Sequence, residues 1–407
     1  EPTRNLDVTI QAGILLLFKE LQRELGLTIL FIVNNLGLVF TFCDKAAVLK
    51  EGRIIERGTV NEVLFNPSEE YSKILIAASS KTLPKYSSEK GDVLLSVSGL
   101  KKYFPVVKRG AKGLSVKAVD GVDMKVRAGE VVGIVGESGC GKSTLVNTIL
   151  HLHAPTEGRV VFDGDDIFAL KGGAMREARK KIQIVFQDPY WSLNPRWLVR
   201  DIIAEPLAVH EKISSKEQLD RVSGLLNLVG LKPEHAFLYP HEFSGGERQR
   251  IAIARSLAVS PKLVVLDEPT SAIDIISQTQ ILKLINELRE RFKLTNLLIS
   301  HDLGVVSHLA DRIFVMYLGR VVESGYTADI FKSPAHPYTK ALFDSIPSVE
   351  KGAGGLRAIA GEIPSALYPP SGCHFHTRCP MAKPECAEIA PRTVPLANGH
   401  EVSCLMC

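Results

Sequence analysis

The chain has 407 residues, 45% of them apolar and 23% charged, an ordinary globular composition with room for two or three domains. Its formal charge of +4 comes from 49 Lys and Arg against 45 Asp and Glu, scattered rather than clustered, which gives no electrostatic case for a nucleic-acid partner. No apolar run approaches the ~18 residues of a membrane-spanning helix and no secretory leader pattern opens the chain; a water-soluble cytosolic protein is expected, one able to dock on a membrane partner.

The first stretch returns later in the chain. Glu1-Pro2-Thr3 recurs as Glu268-Pro269-Thr270, Asp7 as Asp274, Gln11 as Gln278, Leu36-Gly37 as Leu303-Gly304, Gly52-Arg53 as Gly319-Arg320 and Tyr71 as Tyr338. Residues 1–75 overlay 268–342 without a gap, with roughly a third of positions identical. A repeat of this length is a duplicated domain, not a solenoid unit. Residues 1–78 are therefore expected to be the closing part of a domain whose front, with its own glycine loop, lies upstream. Residues 79–92 are polar, carry Pro84, and read as a linker.

A complete domain is expected over 93–332. Residues 94–97 and 118–126 pattern as strands, and 108–113 between them as an exposed basic hairpin loop. A β-branched run at 131–135 leads into Gly136-Glu137-Ser138-Gly139-Cys140-Gly141-Lys142-Ser143-Thr144 and then a helix. Residues 182–186 read as a strand, and 198–260 show mostly helical periodicity and form a helical subdomain. The all-apolar run 263–266 and residues 296–300 read as strands buried on both faces. Ile281, Leu282, Leu284, Ile285 and Leu288 form a helix stripe between them. Strands alternating with helices argue an α/β parallel sheet. Beyond 333 Pro and Gly become frequent, and the last 35 residues hold five of the seven cysteines.

Three constellations carry chemistry. The first is G-x-x-x-x-G-K-S between a strand and a helix, the phosphate-cradling loop. Gly136, Gly139 and Gly141 let the backbone turn its N–H groups inward. The helix adds its positive end, Lys142 reaches the β- and γ-phosphates, and the Ser143 hydroxyl can ligate Mg²⁺. The second is Asp267-Glu268 at a strand end: Asp267 can hold Mg²⁺ opposite Ser143, and Glu268 can polarise an attacking water. His301, ending another buried strand, can contact the γ-phosphate and tie it to Glu268. The third is Ser244-Gly245-Gly246-Glu247 at a helix start, a second anion site; a plain helix cap would explain Ser244 alone.

Taken together these residues resemble the nucleotide-binding subunits of ABC transporters, with Ser244-Gly245-Gly246-Glu247-Arg248-Gln249 in the place of the ABC signature. The resemblance implies a P-loop NTPase fold with a parallel-sheet core, an antiparallel β edge and a helical subdomain. It implies ATP and Mg²⁺ as cofactors. It makes Glu268 the catalytic glutamate, His301 the switch histidine, Asp274 the D-loop aspartate, and Gln187 the Q-loop glutamine that senses Mg²⁺ and contacts the membrane subunit. Tyr103 stands where an aromatic stacks on adenine, with Phe104 beside it as a competitor. Two such domains close on each other, each ATP lying between one P-loop and the partner's signature.

Residues 187–196 and the stretch Ser333-Pro334-Ala335-His336-Pro337-Tyr338-Thr339 resemble the dipeptide/oligopeptide importer branch, which also takes nickel and glutathione. That branch implies two integral-membrane permeases, a periplasmic or extracellular substrate-binding protein, and a peripheral place on the cytoplasmic face of the inner membrane. A soluble ABC ATPase outside transport, or a non-enzymatic module, are the competing readings. The first half departs from the pattern: Val33-Asn34-Asn35 stands where Ser300-His301-Asp302 stands in the second, so its own ATP site is expected to be slow or inactive. In the tail, Cys373, Cys379, Cys386 and Cys404 offer four thiolates, with Cys407 spare. A cytosolic protein rarely keeps disulfides, and the spacing fits no common zinc module. The resemblance implies a [4Fe–4S] cluster; zinc and free thiols stay open. His374, His376 and His400 are expected at the surface, Cys43 in the core.

Overall fold

A computed structural model describes residues 1–3, 6–78, 91–106, 113–271, 273–347 and 356–407. Most of the expected linker at 79–92, and the basic loop 108–113 except its last glycine, lie outside the described residues. The centre is an eight-stranded sheet. Five strands at one side of it, in spatial order Arg312–Tyr317, Val131–Val135, Thr295–Ile299, Leu263–Asp267 and, at the edge, Ile182–Val185, run parallel. Every residue of Val131–Val135 and of Thr295–Ile299 is buried, because helices cover both faces of a parallel sheet and leave no side for polar alternation. Arg320–Tyr326 continues the sheet antiparallel beside Arg312–Tyr317. The expected strands near 94–97 and 118–126 are longer, Val93–Pro105 and Ser115–Arg127, and pair antiparallel in a separate four-stranded sheet. Cross-strand pairing extends them through bulges that local patterning does not announce. Helices Val199–His210, Ser215–Leu228 and Gly245–Leu257 form the helical part. Among the described residues no helix is long and apolar enough to cross a membrane.

The change of character at 333 does not mark the edge of the sheet. Glu401–Val402 pairs with Glu323 and Ser324, and Val394–Pro395 adds outside it. Two tail histidines expected at the surface are buried. His400 Nε2 lies 2.7 Å from Glu323 Oε1, and His374 Nδ1 lies 3.2 Å from the Leu318 carbonyl. Each meets a polar partner in strand Arg320–Tyr326 or the turn before it once the tail folds back on it, which is what lets an imidazole be buried. Cys43 is only half-buried.

The sequence repeat recurs in the structure down to single hydrogen bonds. Helix Val8–Leu25 matches Ile275–Phe292, eighteen residues each, capped by Asp7 and Asp274 in the same backbone geometry. The strand pair Lys45–Lys50 and Arg53–Thr59 matches Arg312–Tyr317 and Arg320–Tyr326, with the irregularity at Val48/Leu49 repeated at Val315/Met316. Glu56 accepts the N–H groups of Ser68 and Glu69 as its twin Glu323 accepts those of Ala335 and His336. The halves differ at one element. Residues 28–32 form no strand, and Leu30 and Ile32 are 92% and 69% exposed, whereas their twins Leu297 and Ile299 are fully buried. Thr295–Ile299 has parallel neighbours on both sides to take its hydrogen bonds and cover its faces; among the described residues 28–32 has none. The halves touch through helix Glu70–Ala78, whose Ala78 carbonyl accepts the Thr279 hydroxyl at 3.0 Å.

Asp311 fastens the sheet to helix Ile275–Phe292. Its carboxylate takes Arg289 Nη2 at 2.6 Å and the Val131 N–H at 2.9 Å, and only 2% of its side chain is exposed. Breaking a buried pair leaves the other charge uncompensated. Asp311→Ala is therefore expected to destabilise the protein by about 3 kcal/mol in thermal or urea unfolding. Lys101→Ala, which removes a solvent-exposed pair with Glu157, should leave the unfolding midpoint nearly unchanged.

Candidate active site

The parallel register sets the chemical groups in one row. Ile299 is paired with Asp267 on one side and Ile134 on the other, and Val185 with Leu266. The residues after these strand ends are the glycine loop from Gly136, Gln187, Glu268 and His301. Such a row at the carboxyl edge of a parallel sheet is where ligands bind.

Gly136 has φ 151° and Gly141 φ 107°. A Cβ at Gly136 would sit 2.2 Å from the Met316 carbonyl oxygen, and one at Gly141 2.1 Å from that of Ala118. Both glycines are thus demanded by close backbone approach as well as by conformation. Helix Lys142–Ile149 follows, with no side-chain cap on its N-terminus, so its first N–H groups and its dipole are left for an anion. Lys142 Nζ donates to the carbonyls of Gly136 and Glu137 at 2.7 and 3.0 Å, which holds the ammonium inside the loop. Ser138, Gly139 and Ser143 are exposed, Thr144 half-exposed, and Cys140 buried; burial holds the Cys140 thiol pKa above its ordinary value.

Glu268 is clamped from two sides. Gln187 Nε2 donates to its Oε2 at 2.7 Å, and His301 Nδ1 lies 2.9 Å from its Oε1. Its backbone takes a positive φ of 48°, an uncommon geometry for a non-glycine residue. Burial works to raise its pKa, but the bonds from His301 and Gln187 win and hold it below the usual carboxylate range. His301 is correspondingly raised, first by its bond to Glu268, against burial. Neighbouring Asp267 is different. Its Oδ1 is buried with no hydrogen-bond partner, and burial followed by the Glu268 charge raises its pKa to about 6. A buried acceptor oxygen without a donor, one strand away from a phosphate loop with an exposed serine hydroxyl, is a donor set that fits Mg²⁺.

Other expected site residues are placed as follows. The Tyr103 hydroxyl donates to Asp120, which also takes Arg320 at 2.7 Å, and Lys117 Nζ lies 5.8 Å from the ring centroid; Phe104 instead packs edge-on against His153. Ser244 and Glu247 form a reciprocal capping box on helix Gly245–Leu257. Gly245 and Gly246 approach Ile273 and Ser277 closely, so the motif sits against the helix that Asp274 caps. Asp274 accepts from Ile276 and Ser277, a capping role. Its twin Asp7 does this and also faces the Ser138 N–H at 3.4 Å, so the aspartate beside the phosphate loop comes from the first half. Asp7 was legible through the repeat. Three further neighbours of the loop, Thr9, Tyr338 and Arg378, carry no local sequence signal for that role.

Cys373, Cys379, Cys386 and Cys404 are free thiols in one neighbourhood, where Cys373 feels the charge of the other three. Burial raises the pKa of Cys373 and Cys379, favouring the protonated thiol over the metal-binding thiolate. Among the described residues no three His, Cys, Asp or Glu side chains are gathered so as to hold a metal ion. The expected [4Fe–4S] set is therefore not found assembled. Cys404 Sγ instead accepts the Met406 N–H at 3.4 Å, and Cys407 donates to the Ala335 carbonyl.

Between the halves lies a cleft lined in twin pairs: Glu1 with Glu268, Thr3 with Thr270, Gln11 with Gln278, Asn34 with His301, and Asn35 with Asp302. Asn34 and His301 thus line the same cleft.

Comparison with known proteins agrees with this geometry. Residues 119–271 match the ABC transporter family, and residues 322–386 match the oligopeptide/dipeptide transporter C-terminal region. The oligopeptide transport ATP-binding protein AppF of Bacillus subtilis is 48% identical over 77% of this chain and 97% of its own length. The glutathione import ATP-binding protein GsiA of Pectobacterium atrosepticum is 39% identical over 90% of this chain, which spans 64% of that protein. Among solved structures, the dimeric post-hydrolysis state of the ATP-binding cassette MJ0796, bound to ADP and Pi, aligns at TM-score 0.52 and 30% identity, over 57% of this chain and 98% of that one.

The raised Asp267 pKa has a definite sign. The native state holds this proton more tightly than the unfolded chain, so its contribution to stability is lost as pH rises from about 4 to about 6. Asp267→Asn is expected to raise the thermal midpoint at pH 7.5, by the equivalent of about 2 kcal/mol, and to change it little at pH 4. Equal shifts at both pH values would contradict the assignment.

Proposed function

The chain belongs to the ABC transporter family, and on that premise we propose that it is the ATP-hydrolysing subunit of an importer for di- or oligopeptides. The observation that carries the catalytic part is the clamp of Gln187 and His301 on Glu268 beside the unpartnered Asp267 oxygen, one strand away from the phosphate loop. The cargo class rests on the oligopeptide/dipeptide C-terminal match and on relatives such as AppF. Glutathione is the second reading, favoured by GsiA, whose similarity runs through both halves of this chain.

In the proposed reaction the N–H groups of 138–144 and the Lys142 ammonium hold the β- and γ-phosphates. Glu268, kept ionised by its neighbours, orients a water and accepts its proton as the water oxygen bonds to the γ-phosphorus and the bond to the ADP oxygen breaks. Each carboxylate oxygen has a second lone pair, so water can join without displacing Gln187 or His301. Mg²⁺, held by Ser143, Asp267 and Gln187, would neutralise charge on the phosphates. Asn34 cannot take the part of His301, because an amide neither protonates nor reaches as far. Tyr103 is assigned to adenine, and Ser244-Gly245-Gly246-Glu247 with Asp274 to the ATP of a facing cassette.

In the same reading residues 1–78 close one cassette, 93–332 form a second, and 333–407 are the importer-type tail. Two permeases, a substrate-binding protein and the cytoplasmic face of the inner membrane complete it, supported by the transport roles named for the relatives. A [4Fe–4S] group on Cys373, Cys379, Cys386 and Cys404 rests on their shared neighbourhood. Iron and acid-labile sulfide in protein purified without air test it, and their absence would overturn it.

Glu268→Gln should bind ATP normally and hydrolyse it at least ~100-fold more slowly, the scale of a lost general base; normal hydrolysis would remove Glu268 from its role. In the two-cassette protein Asn34→His is expected to raise ATP turnover, and an unchanged rate would sink the asymmetry.

A further inference from the structure

Glu137 is the second residue of the phosphate loop and only 1% exposed. A carboxylate there is a liability, since the loop's task is to receive phosphates. Its charge is met from outside the loop. Arg378 Nη1 donates to Oε2 at 2.7 Å and Nη2 to Oε1 at 3.0 Å, a two-pronged pair of the strong, orientation-fixing kind. The Thr9 hydroxyl lies 2.6 Å from Oε1 and 2.6 Å from Asp7 Oδ1, its one proton shared between the two carboxylates, and the Glu137 N–H donates to the Tyr338 hydroxyl at 2.9 Å. Arg378 is itself 8% exposed and braced by the Ala360 carbonyl and the Tyr317 hydroxyl. Burial alone would ease its proton off, but the bonds to Glu137 and Tyr317 hold it firmly charged. Arg378 stands in the tail, one residue before Cys379, 241 positions from its partner.

We propose that Arg378 is a positioning residue for the phosphate loop, neutralising Glu137 and turning its carboxylate away so that nucleotide phosphates meet N–H groups and Lys142 rather than a bare buried charge. The tail is then part of the ATP site, although it touches no nucleotide. Two alternatives are weaker. A pair kept for stability alone would sit as well anywhere in the core. A direct phosphate contact by Arg378 is the weaker reading because the side chain is buried and four of its five N–H donors are already given to Glu137, the Tyr317 hydroxyl and the Ala360 carbonyl.

The inference rests on nucleotide binding at 136–144, and the test separates the two. Affinities for ATP, ADP and AMP are measured by equilibrium binding for wild type, Arg378→Gln, Arg378→Lys and Arg378→Gln/Glu137→Gln. Arg378→Gln should weaken ATP on the order of tenfold or more, ADP less and AMP least, with kcat at saturating ATP within a few-fold of wild type. The double variant, which removes both charges of the pair, should recover most of the ATP affinity. Arg378→Lys, keeping charge without the fork, should fall between, and it serves if Arg378→Gln fails to fold. Equal losses for all three nucleotides, or a double variant no better than the single, would mark a merely structural role and overturn the proposal. Wild type that binds no nucleotide would instead overturn the functional reading itself.

Discussion

Four parallel strands end side by side, and the chemistry depends on that register. A slip of one residue would turn each strand's side chains to the opposite face and scatter the groups that follow the strand ends. As paired, Asp267 lies level with Ile299, and Gly136, Gln187, Glu268 and His301 leave the sheet at one edge. Complete burial of the two central strands gives this register its strength, since apolar contacts on both faces and ladder bonds on both sides would all be lost together. Asp311 and Arg289 pin the same strands to a helix from below.

The second organising feature is duplication with a difference. Helix lengths, caps, a strand irregularity and a carboxylate accepting two backbone N–H groups are shared by both halves. Yet the halves contribute unequally to the site. The first half supplies Asp7 and Thr9 to the other half's phosphate loop and presents Asn34 where its twin presents a histidine. The phosphate loop is thus a junction of three distant segments: itself, the first half, and the tail.

How much of this could be read beforehand depended on how local each feature is. The phosphate loop, Asp267-Glu268 and His301 were legible because glycines, a lysine and strand-ending carboxylates at fixed spacing serve one chemistry and have few other uses. Gln187 was legible only by resemblance, and its bond to Glu268 joins residues 81 positions apart. The tail histidines were misjudged because polarity suggests exposure, whereas Glu323 and the Leu318 carbonyl provide buried partners. The cysteine set reads as a metal site from residue type, whereas burial raises the pKa of two of the thiols and among the described residues no three ligands are gathered to hold a metal ion. Arg378 had no signal at all, since a single arginine in an irregular tail looks like a solvated charge.

The amino-acid sequence by itself determined the alternation of buried strands and helices, the duplication, and the catalytic vocabulary, because each is written in spacings of a few residues or in direct repetition. Only the tertiary structure decided what neutralises Glu137, which half's aspartate faces the phosphate loop, that the tail completes the main sheet, and that residues 28–32 do not repeat the buried strand of their twin. Those outcomes depend on which neighbours are present to cover an apolar face or to pair a buried charge, and such neighbours stand far apart along the chain, Glu137 and Arg378 by 241 positions.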